Sequence, residues 1–245
     1  GSIDLTFNST IIYSILDERF GVVSAPFLFD SLDEVDAAFA REGGKMLDEL
    51  LLEKNVVALG YGENGFRQIT NNEGPIESPE DLKGMKMRIP GIKMYTDLFR
   101  AYGSDPATMT WSEVFTALQQ GTIDGQENPI DVIYSSKIDE VQDYLTLWNY
   151  SYDPLVLGIN KKLFDSMSEE DQELFKRLGK EAAAYQIQLN RERAAEQLEE
   201  LKAKGMQVNE LTEEQLQVFK DASQPIYDQY KTIWGEDFLK AFQGE

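Results

Sequence analysis

The sequence predicts an α/β protein built from two lobes. Strand-like apolar runs alternate with helix-like segments from residue 3 to residue 159, an order that favours a largely parallel sheet. The motif G-S-I-D at residues 1–4 recurs as G-T-I-D at residues 121–124, which indicates two similar lobes. A helical pattern without proline runs from Glu169 to Lys204, about 54 Å at ~1.5 Å per residue. Because this length exceeds one lobe, we expect the helix to cross both.

Composition excludes several classes of function. The chain has 245 residues, 42% of them hydrophobic, which is enough for a buried core. Its 44 acidic and 23 basic residues give a net charge of −21, which argues against binding to nucleic acids or to anionic membranes. The lack of Cys and His excludes thiolate chemistry, Ser–His–Asp catalysis and the His/Cys zinc sites. No apolar run reaches the ~18 residues of a membrane span.

The first quarter of the chain predicts two strands that flank a group of helices. Ser31, with Glu34 three residues later, forms a capping box before a helix at 32–40. The segment 26–29 (P-F-L-F) predicts a buried corner. The other elements predicted here are a strand at 3–7, helices at 11–20 and 44–54, and a strand at 55–59.

The segment 60–65 (G-Y-G-E-N-G) matches the G-x-G-x-x-G pattern of dinucleotide-binding proteins directly after a predicted strand. That fingerprint requires a helix to begin at its third glycine. Residues 66–70 (F-R-Q-I-T) instead favour extended chain, and residues 71–75 (N-N-E-G-P) then break it. We therefore interpret the glycines as a crossover between the lobes and predict no cofactor.

The middle of the chain alternates strands and helices with clear stop signals. Ser78-Pro79 begins a short helix as N-cap and first helical residue. A helix from Trp111 ends at Gly121, and the polar residues 125–129 (G-Q-E-N-P) predict a turn after a short extended run at 122–124. A strand that ends in polar residues is where open α/β sheets place ligand groups. The remaining predictions here are strands at 86–89 and 155–159, helices at 94–102 and 131–140, and extended chain at 144–150.

The last third of the chain predicts helices. Ser168 begins the long helix as a capping residue, and Gly205 ends it. Thr212 begins a further helix and Pro225 begins the last one. A coiled coil is disfavoured because the apolar stripe of the long helix is not sustained over enough heptads. That stripe is predicted at Leu174, Leu178, Tyr185 and Leu189.

Four spaced motifs carry a resemblance to a known family. They are N-G-F-R-Q at 64–68, D-L-K-G-M-K-M-R-I-P at 81–90, E-V-F-T-A-L-Q at 113–119 and D-G-Q-E-N-P at 124–129. With these motifs, with Y-D-P at 152–154 and with its long helix, the chain resembles the substrate-binding proteins of tripartite ATP-independent periplasmic (TRAP) transporters, the DctP-like family. The likeness covers the entire chain. Phe115 departs from the family, which often has Tyr there.

The resemblance implies a periplasmic-binding-protein-like fold with a long helix spanning both lobes. Lobe I would comprise residues 1–64 and 154–193, and lobe II residues 65–153 and 194–245. The first residues resemble a point about 55–75 residues into a mature family member, so that the first βαβα of lobe I would be missing; a βαβ unit alone needs ~30 residues. The resemblance further implies a periplasmic monomer whose signal peptide has been removed, with TRAP membrane subunits as partners.

The resemblance also implies which residues bind the ligand. Arg88, whose planar fork suits bidentate carboxylate binding, matches an arginine that clamps the ligand carboxylate, and Asn128 matches an asparagine that hydrogen-bonds it. Arg67 matches a second site arginine, Trp111 an aromatic position that lines the cleft, and Ser9 a position that helps to set ligand choice. The structural alternatives are a surface ion pair for Arg88, turn formation for Asn128 and a place in the core for Trp111.

These residues predict a binding protein that captures a small organic acid, closes over it by hinge bending and delivers it to a transporter. One alternative is a carboxylate-dependent glycoside hydrolase using Asp124 and Glu127, although Asp124, mirrored by Asp4, favours a structural role. The other is a ligand-free sensor or scaffold. A calcium loop at 124–129 is rejected because Pro129 replaces the required glycine. We predict no catalytic residue and no metal site.

Overall fold

The computed structural model describes residues 2–244. Its helices are α1 (Thr10–Leu16), α2 (Leu32–Ala40), α3 (Glu42–Glu53), α4 (Lys93–Ala101), α5 (Trp111–Gln119), α6 (Ile130–Ser135), α7 (Lys161–Asp165), α8 (Glu169–Ala203), α9 (Glu213–Trp234) and α10 (Glu236–Gln243). Its strands are β1 (Leu5–Ser9), β2 (Val56–Asn71), β3 (Lys86–Ile89), β4 (Asp105–Thr108), β5 (Gly125–Pro129), β6 (Tyr144–Leu147), β7 (Tyr152–Asn160) and β8 (Gln207–Glu210). Short 3₁₀ helices cover Glu18–Ser24, Pro79–Leu82 and Ile138–Glu140. Within residues 2–244, no helix combines the length and the apolar character needed to cross a membrane.

Strand β2 connects the two parts of the sheet. As far as Phe66 it pairs antiparallel with β7, and β1 pairs with the other edge of β7. From Arg67 onward it pairs antiparallel with β5, and from Ile69 also with β6, so that β5 and β6 lie on opposite edges. Strands β3 and β4 extend the sheet beyond β5, and β8 extends it beyond β6, all in parallel. The α/β class is confirmed, but the largely parallel sheet is wrong because every pairing of β2 is antiparallel.

The glycine-rich segment 60–65 lies inside β2. The strand continues past Gly65 to Asn71 and no helix begins there, so that the rejection of the dinucleotide fingerprint is confirmed. A side chain at Gly60 is excluded because its Cβ would lie 2.7 Å from the carbonyl oxygen of Gly179. Gly65 has a φ of 102°, a conformation that favours glycine.

Helix α8 runs the length that the sequence predicts, within one residue, and crosses β2 on small side chains. Gly179 and Ala183 are buried there, and Leu201 is buried near its C-terminal end, where α8 also contacts α6. The predicted apolar stripe is wrong, because the large side chains point away from this contact. Leu174, Leu178 and Tyr185 are 38%, 47% and 61% exposed.

Three hydrophobic clusters pack against the sheet, two main cores and a smallest cluster, which is formed by Val57, Leu59, Ile159 and Phe164. The larger core lies between α1–α4 and the C-terminal helices α9 and α10, and Trp148 is at its aromatic centre, with ring centroids 4.5 Å from Tyr150 and 5.2 Å from Phe219. The smaller core joins α5, α6, β6 and the end of α8. Its fully buried members are Val114, Ile133, Ile138, Leu145 and Leu201.

Local capping signals are confirmed at several helix ends. Ser31 caps α2 by accepting the N–H of Glu34 at 3.2 Å, and Ser168 caps α8 in the same way. Gly121 has a φ of 65° directly after α5, as a C′ glycine does. The two G-x-I-D motifs each precede a strand, β1 and β5, although residue 1 of the first motif lies outside the described range.

Three helix predictions differ from the structure; in place of one helix at 131–140, α6 ends at Ser135 and a 3₁₀ helix follows at Ile138–Glu140. Helix α1 ends at Leu16 rather than at residue 20, because the side chain of Asp17 accepts the N–H of Arg19 and begins a 3₁₀ turn. Pro225 lies inside α9 instead of beginning a new helix. Burial of Ser223 and Ile226 on either side of Pro225 holds this helix continuous despite the missing N–H.

Gly179→Ala is expected to lower the free energy of unfolding by about 1–3 kcal/mol, the usual cost of overpacking. The new Cβ would lie 2.6 Å from the Cβ of Leu59 and 2.8 Å from its carbonyl oxygen, so that α8 must move away from β2. Helix propensity alone predicts the opposite, a gain of roughly 1 kcal/mol. Urea denaturation followed by circular dichroism measures the change.

The matched control for this prediction is Ala182→Gly, at an exposed position of the same helix. It reports the propensity difference between the two residues without a change in packing. A Gly179→Ala variant that is more stable than the parent protein would contradict the close contact of α8 with β2.

Candidate functional site

Strand β5 carries polar residues into the interior. The sequence predicts a turn at 125–129, which is wrong: these residues are a fully buried strand, and the turn lies at 122–124. Gln126 Nε2 donates to Thr70 Oγ1 at 3.0 Å, and Asn128 Nδ2 donates to Gln126 Oε1 at 2.7 Å. The polar strand is stable inside the protein because each of its side chains finds a buried partner.

Arg67 of β2 is the centre of a buried ion-pair network. It is 3% exposed, and its Nε and Nη2 donate to the carboxylate of Glu127, Nη2 at 2.8 Å. Nη2 also donates to Asn128 Oδ1 at 3.1 Å, and Nη1 donates to Asp153 Oδ2 at 2.7 Å. Burial alone would lower the pKa of Arg67, but Glu127 and Asp153 outweigh it and hold that pKa well above its usual value. All three guanidinium nitrogens therefore donate to the protein itself.

Ser9 joins this network through Asp153. Its Oγ donates to Asp153 Oδ1 and also accepts the N–H of Ile11 at 3.1 Å, which makes Ser9 the N-cap of α1. Asn64 Nδ2 donates to the other oxygen of the same carboxylate at 3.2 Å. The hydroxyl of Ser9 is thus held by both a carboxylate and a helix end.

Arg88 of β3 is buried without an anionic partner. It is 5% exposed, and no carboxylate within residues 2–244 forms an ion pair with it. Nε and Nη2 donate to the carbonyl oxygen of Met109 at 3.3 and 3.0 Å, and the guanidinium carbon lies 5.3 Å from the ring centroid of half-buried Trp111. Burial lowers the pKa of Arg88 to about 10, against the opposing effect of Glu127. The side chain stays charged at neutral pH, and an anion beside it would offset the cost of burying that charge.

The predicted residues form two contacting groups, one around Arg67 and one around Arg88. Arg88 is opposite Gln126 in the β3–β5 pair, which places it beside the residues that follow Gln126. The charges of Arg67 and Glu127 both act on the pKa of Arg88. Ser9, Arg67 and Asn128 are connected by hydrogen bonds, Ser9 through Asp153, whereas Arg88 contacts Trp111 on the far side of β5.

The structure adds three residues to which the sequence assigns no binding role. Glu127 and Asp153 are the partners of Arg67, and Tyr150 donates to Glu127 Oε2 at 2.5 Å. Burial, together with the Glu127 charge, raises the pKa of Tyr150, so that the phenol stays protonated and donates. For Asp153, the signal that could have found it is a charged residue inside the strand-like run 152–160, because a buried charge needs a partner.

A cavity of about 350 Å³ lies between β2, α2 and α8, and none of the five predicted residues lines it. Arg191 on its wall pairs with Asp36 at 2.7 Å and with Glu63 at 2.8 Å. The charge of Arg191 is thus already matched, in contrast with that of Arg88.

Comparison with known proteins gives one consistent result. The family model described as bacterial extracellular solute-binding protein, family 7, matches residues 1–233. The 2,3-diketo-L-gulonate-binding periplasmic protein YiaO of Escherichia coli is 34% identical, covering 98% of this chain and 74% of the relative. A TRAP solute-binding protein of Ralstonia eutropha with bound (S)-2-acetolactate superimposes with a TM-score of 0.95 at 35% identity, covering 99% and 79% of the two chains. A sugar acid binding protein of Advenella mimigardefordensis with galactonate gives 0.95 at 34%, covering 100% and 79%.

Removing the charge of each buried arginine should change the free energy of unfolding in opposite directions. Arg88→Met is expected to raise the free energy of unfolding of the ligand-free protein by about 1–2 kcal/mol, because a buried charge without an ion partner is replaced by an apolar chain. Arg67→Met is expected to lower it by about 3–5 kcal/mol, because Glu127 and Asp153 lose their counter-charge. Chemical denaturation at neutral pH measures both variants. A loss of similar size in both would show that the charge of Arg88 is as well compensated as that of Arg67.

Proposed function

Because the chain belongs to bacterial extracellular solute-binding protein family 7, we propose that it captures a small organic acid and delivers it to the membrane subunits of a TRAP transporter. The observation that supports this most directly is the buried guanidinium of Arg88, which has no carboxylate partner within residues 2–244. Three similar proteins bind, by their names, diketogulonate, acetolactate and galactonate. Each of these ligands carries a carboxylate, the anion that a planar guanidinium fits best.

Arg88 has hydrogen-bond donors left for such a carboxylate. Met109 takes one hydrogen each from Nε and Nη2, so that Nη1 and the second hydrogen of Nη2 stay available side by side for a bidentate contact. Asn128 likewise uses one hydrogen of Nδ2 for Gln126 and keeps the other. In this proposal the ring of Trp111 packs against the guanidinium of Arg88. Arg67 and Ser9 form the adjacent wall of the site.

The same proposal includes closure of two lobes by hinge bending, as is known for periplasmic binding proteins. Lobe I would be residues 1–64 with 154–193, and lobe II residues 65–153 with 194–245. The change of partner along β2 supports the crossover, since pairing with β7 ends at Phe66 and pairing with β5 begins at Arg67. Helix α10 of lobe II packs against α2 and α3 of lobe I, a contact that closure must accommodate.

We further propose that the protein acts in the periplasm as a monomer and has no enzymatic activity. The hydrolase alternative needs two available carboxylates. Glu127 is held by Arg67 and Tyr150, and Asp124 Oδ2 accepts the backbone N–H of Lys86 at 2.7 Å, which fixes the start of β3. Both carboxylates therefore have structural roles that explain their presence.

Arg88→Ala is expected to weaken binding of the ligand by about 2–5 kcal/mol, the range for truncating one partner of a buried, hydrogen-bonded charge pair. A thermal unfolding screen against monocarboxylates, dicarboxylates, keto acids and sugar acids finds the ligand, because an acid at 1,000 times its Kd adds about 4.1 kcal/mol of stability. Titration calorimetry then gives Kd for the parent and the variant.

The control for this prediction is Arg100→Ala, which removes the same charge at an exposed position of α4. We expect its Kd to equal that of the parent protein. Equal affinities of the parent protein and Arg88→Ala would contradict the assignment of Arg88. A screen in which no acid raises the unfolding midpoint would favour the sensor or scaffold alternative.

Ligand is expected to lower the radius of gyration from about 18 Å, the value for a compact chain of this length. Closure brings the two lobes together, whereas binding to a rigid protein leaves the shape unchanged. Small-angle X-ray scattering with and without ligand measures the difference, and Arg88→Ala at the same acid concentration serves as the unliganded control. Calorimetric binding without any change in the radius would argue against hinge closure.

A further inference from the structure

We infer that the ligand is a hydroxylated monocarboxylate, and that the site disfavours a second carboxylate. This inference rests on the proposed function, in which Arg88 binds one carboxylate of the ligand. It adds the chemistry of the rest of the ligand, which follows from the charges and hydrogen-bonding groups of the Arg67 network.

The charges of the site leave room for one anion. The buried cations of the described chain are Arg67 and Arg88, and Arg67 is already paired with both Glu127 and Asp153. Each nitrogen of the Arg67 guanidinium donates to a protein oxygen. A second ligand carboxylate would therefore find no buried cation that lacks an anionic partner.

The two carboxylates that pair with Arg67 accept hydrogen bonds from hydroxyls. Tyr150 donates its O–H to Glu127 at 2.5 Å, and Ser9 donates its O–H to Asp153. A carboxylate oxygen has two lone-pair positions, so that Glu127 Oε1 and Asp153 Oδ1, which each accept a single bond from the described residues, can accept one more. Ligand hydroxyls supply such donors, whereas an ionised carboxylate has no proton to donate.

A dicarboxylate would be disfavoured by repulsion as well as by the missing donor. A second carboxylate brought up to Glu127 or Asp153 would be repelled by charges that are 0% and 2% exposed and hence poorly screened by water. Like charges brought together in this way are a common source of specificity, because they penalise the wrong ligand without strengthening the right one.

The test compares ligands of equal carbon number by titration calorimetry on the full chain. The four-carbon pair is 2,3,4-trihydroxybutanoate and succinate, and the six-carbon pair is a hexonate and hexanedioate. We expect the hydroxylated acid to bind at least about 100-fold more tightly in the pair whose length fits, the size of effect that like-charge juxtaposition gives.

The ratio of the Kd of the dicarboxylate to the Kd of its hydroxylated partner measures this preference. Asp153→Asn is expected to reduce this ratio at least about tenfold, because it removes one negative charge and frees Nη1 of Arg67 from a full ion pair. The control is Asp139→Asn, a carboxylate paired with Lys204 at 3.3 Å in the smaller core region, which should leave the ratio unchanged. The ratio of two Kd values within one variant does not depend on the fraction of folded protein, so that a destabilised variant is still informative.

The outcomes separate this inference from the proposed function. A dicarboxylate that binds as tightly as its hydroxylated partner, with affinity lost in Arg88→Ala, would overturn the inference and leave the proposed function intact. The same holds if none of the four acids binds but an unhydroxylated acid in the wider screen does so through Arg88. If no acid of any class binds, the proposed function fails together with the inference.

Discussion

The buried guanidinium of Arg67 ties together the three strands that meet at the candidate site. Arg67 belongs to β2, Glu127 to β5 and Asp153 to β7, and the three residues are 3%, 0% and 2% exposed. A buried guanidinium carries a charge and five N–H donors, so that it is stable only where several acceptors converge. That requirement fixes where β5 and β7 lie against β2. It therefore also fixes Asn128, whose Oδ1 accepts a hydrogen bond from Arg67, and Ser9, whose hydroxyl donates to Asp153.

Arg88 lies close to this network but lacks the partners that Arg67 has. The strand β3, the Met109 carbonyl oxygen and the Trp111 ring hold its guanidinium in place without matching its charge. Binding sites often keep such a group at a cost to stability, because a charge that is already matched cannot gain from a ligand. In the proposed function, the well-compensated Arg67 provides the rigid frame, and the uncompensated Arg88 provides the affinity.

The sequence predicts the elements better than it predicts the partners of buried polar groups. Gly121 ends α5 and the strand β3 has the expected bounds, since caps and apolar runs act over a few residues. The strand at 125–129 could not be recognised, because its stability depends on Arg67, 60 residues away along the chain. For the same reason the motifs predict a ligand role for Arg88, but only the geometry shows that no carboxylate within residues 2–244 pairs with it. The packing face of α8 was missed because Gly179, rather than a large apolar residue, makes the contact with β2.

A crystal structure of the protein with a bound hydroxy acid tests the central claim most directly. The account predicts that both carboxylate oxygens of the ligand accept hydrogen bonds from Arg88, while Arg67 keeps its ion pairs with Glu127 and Asp153. Ligand hydroxyls should then lie against the two protein carboxylates. A ligand carboxylate bound to Arg67, with Glu127 or Asp153 displaced, would contradict the account, because the roles of the two arginines would be reversed.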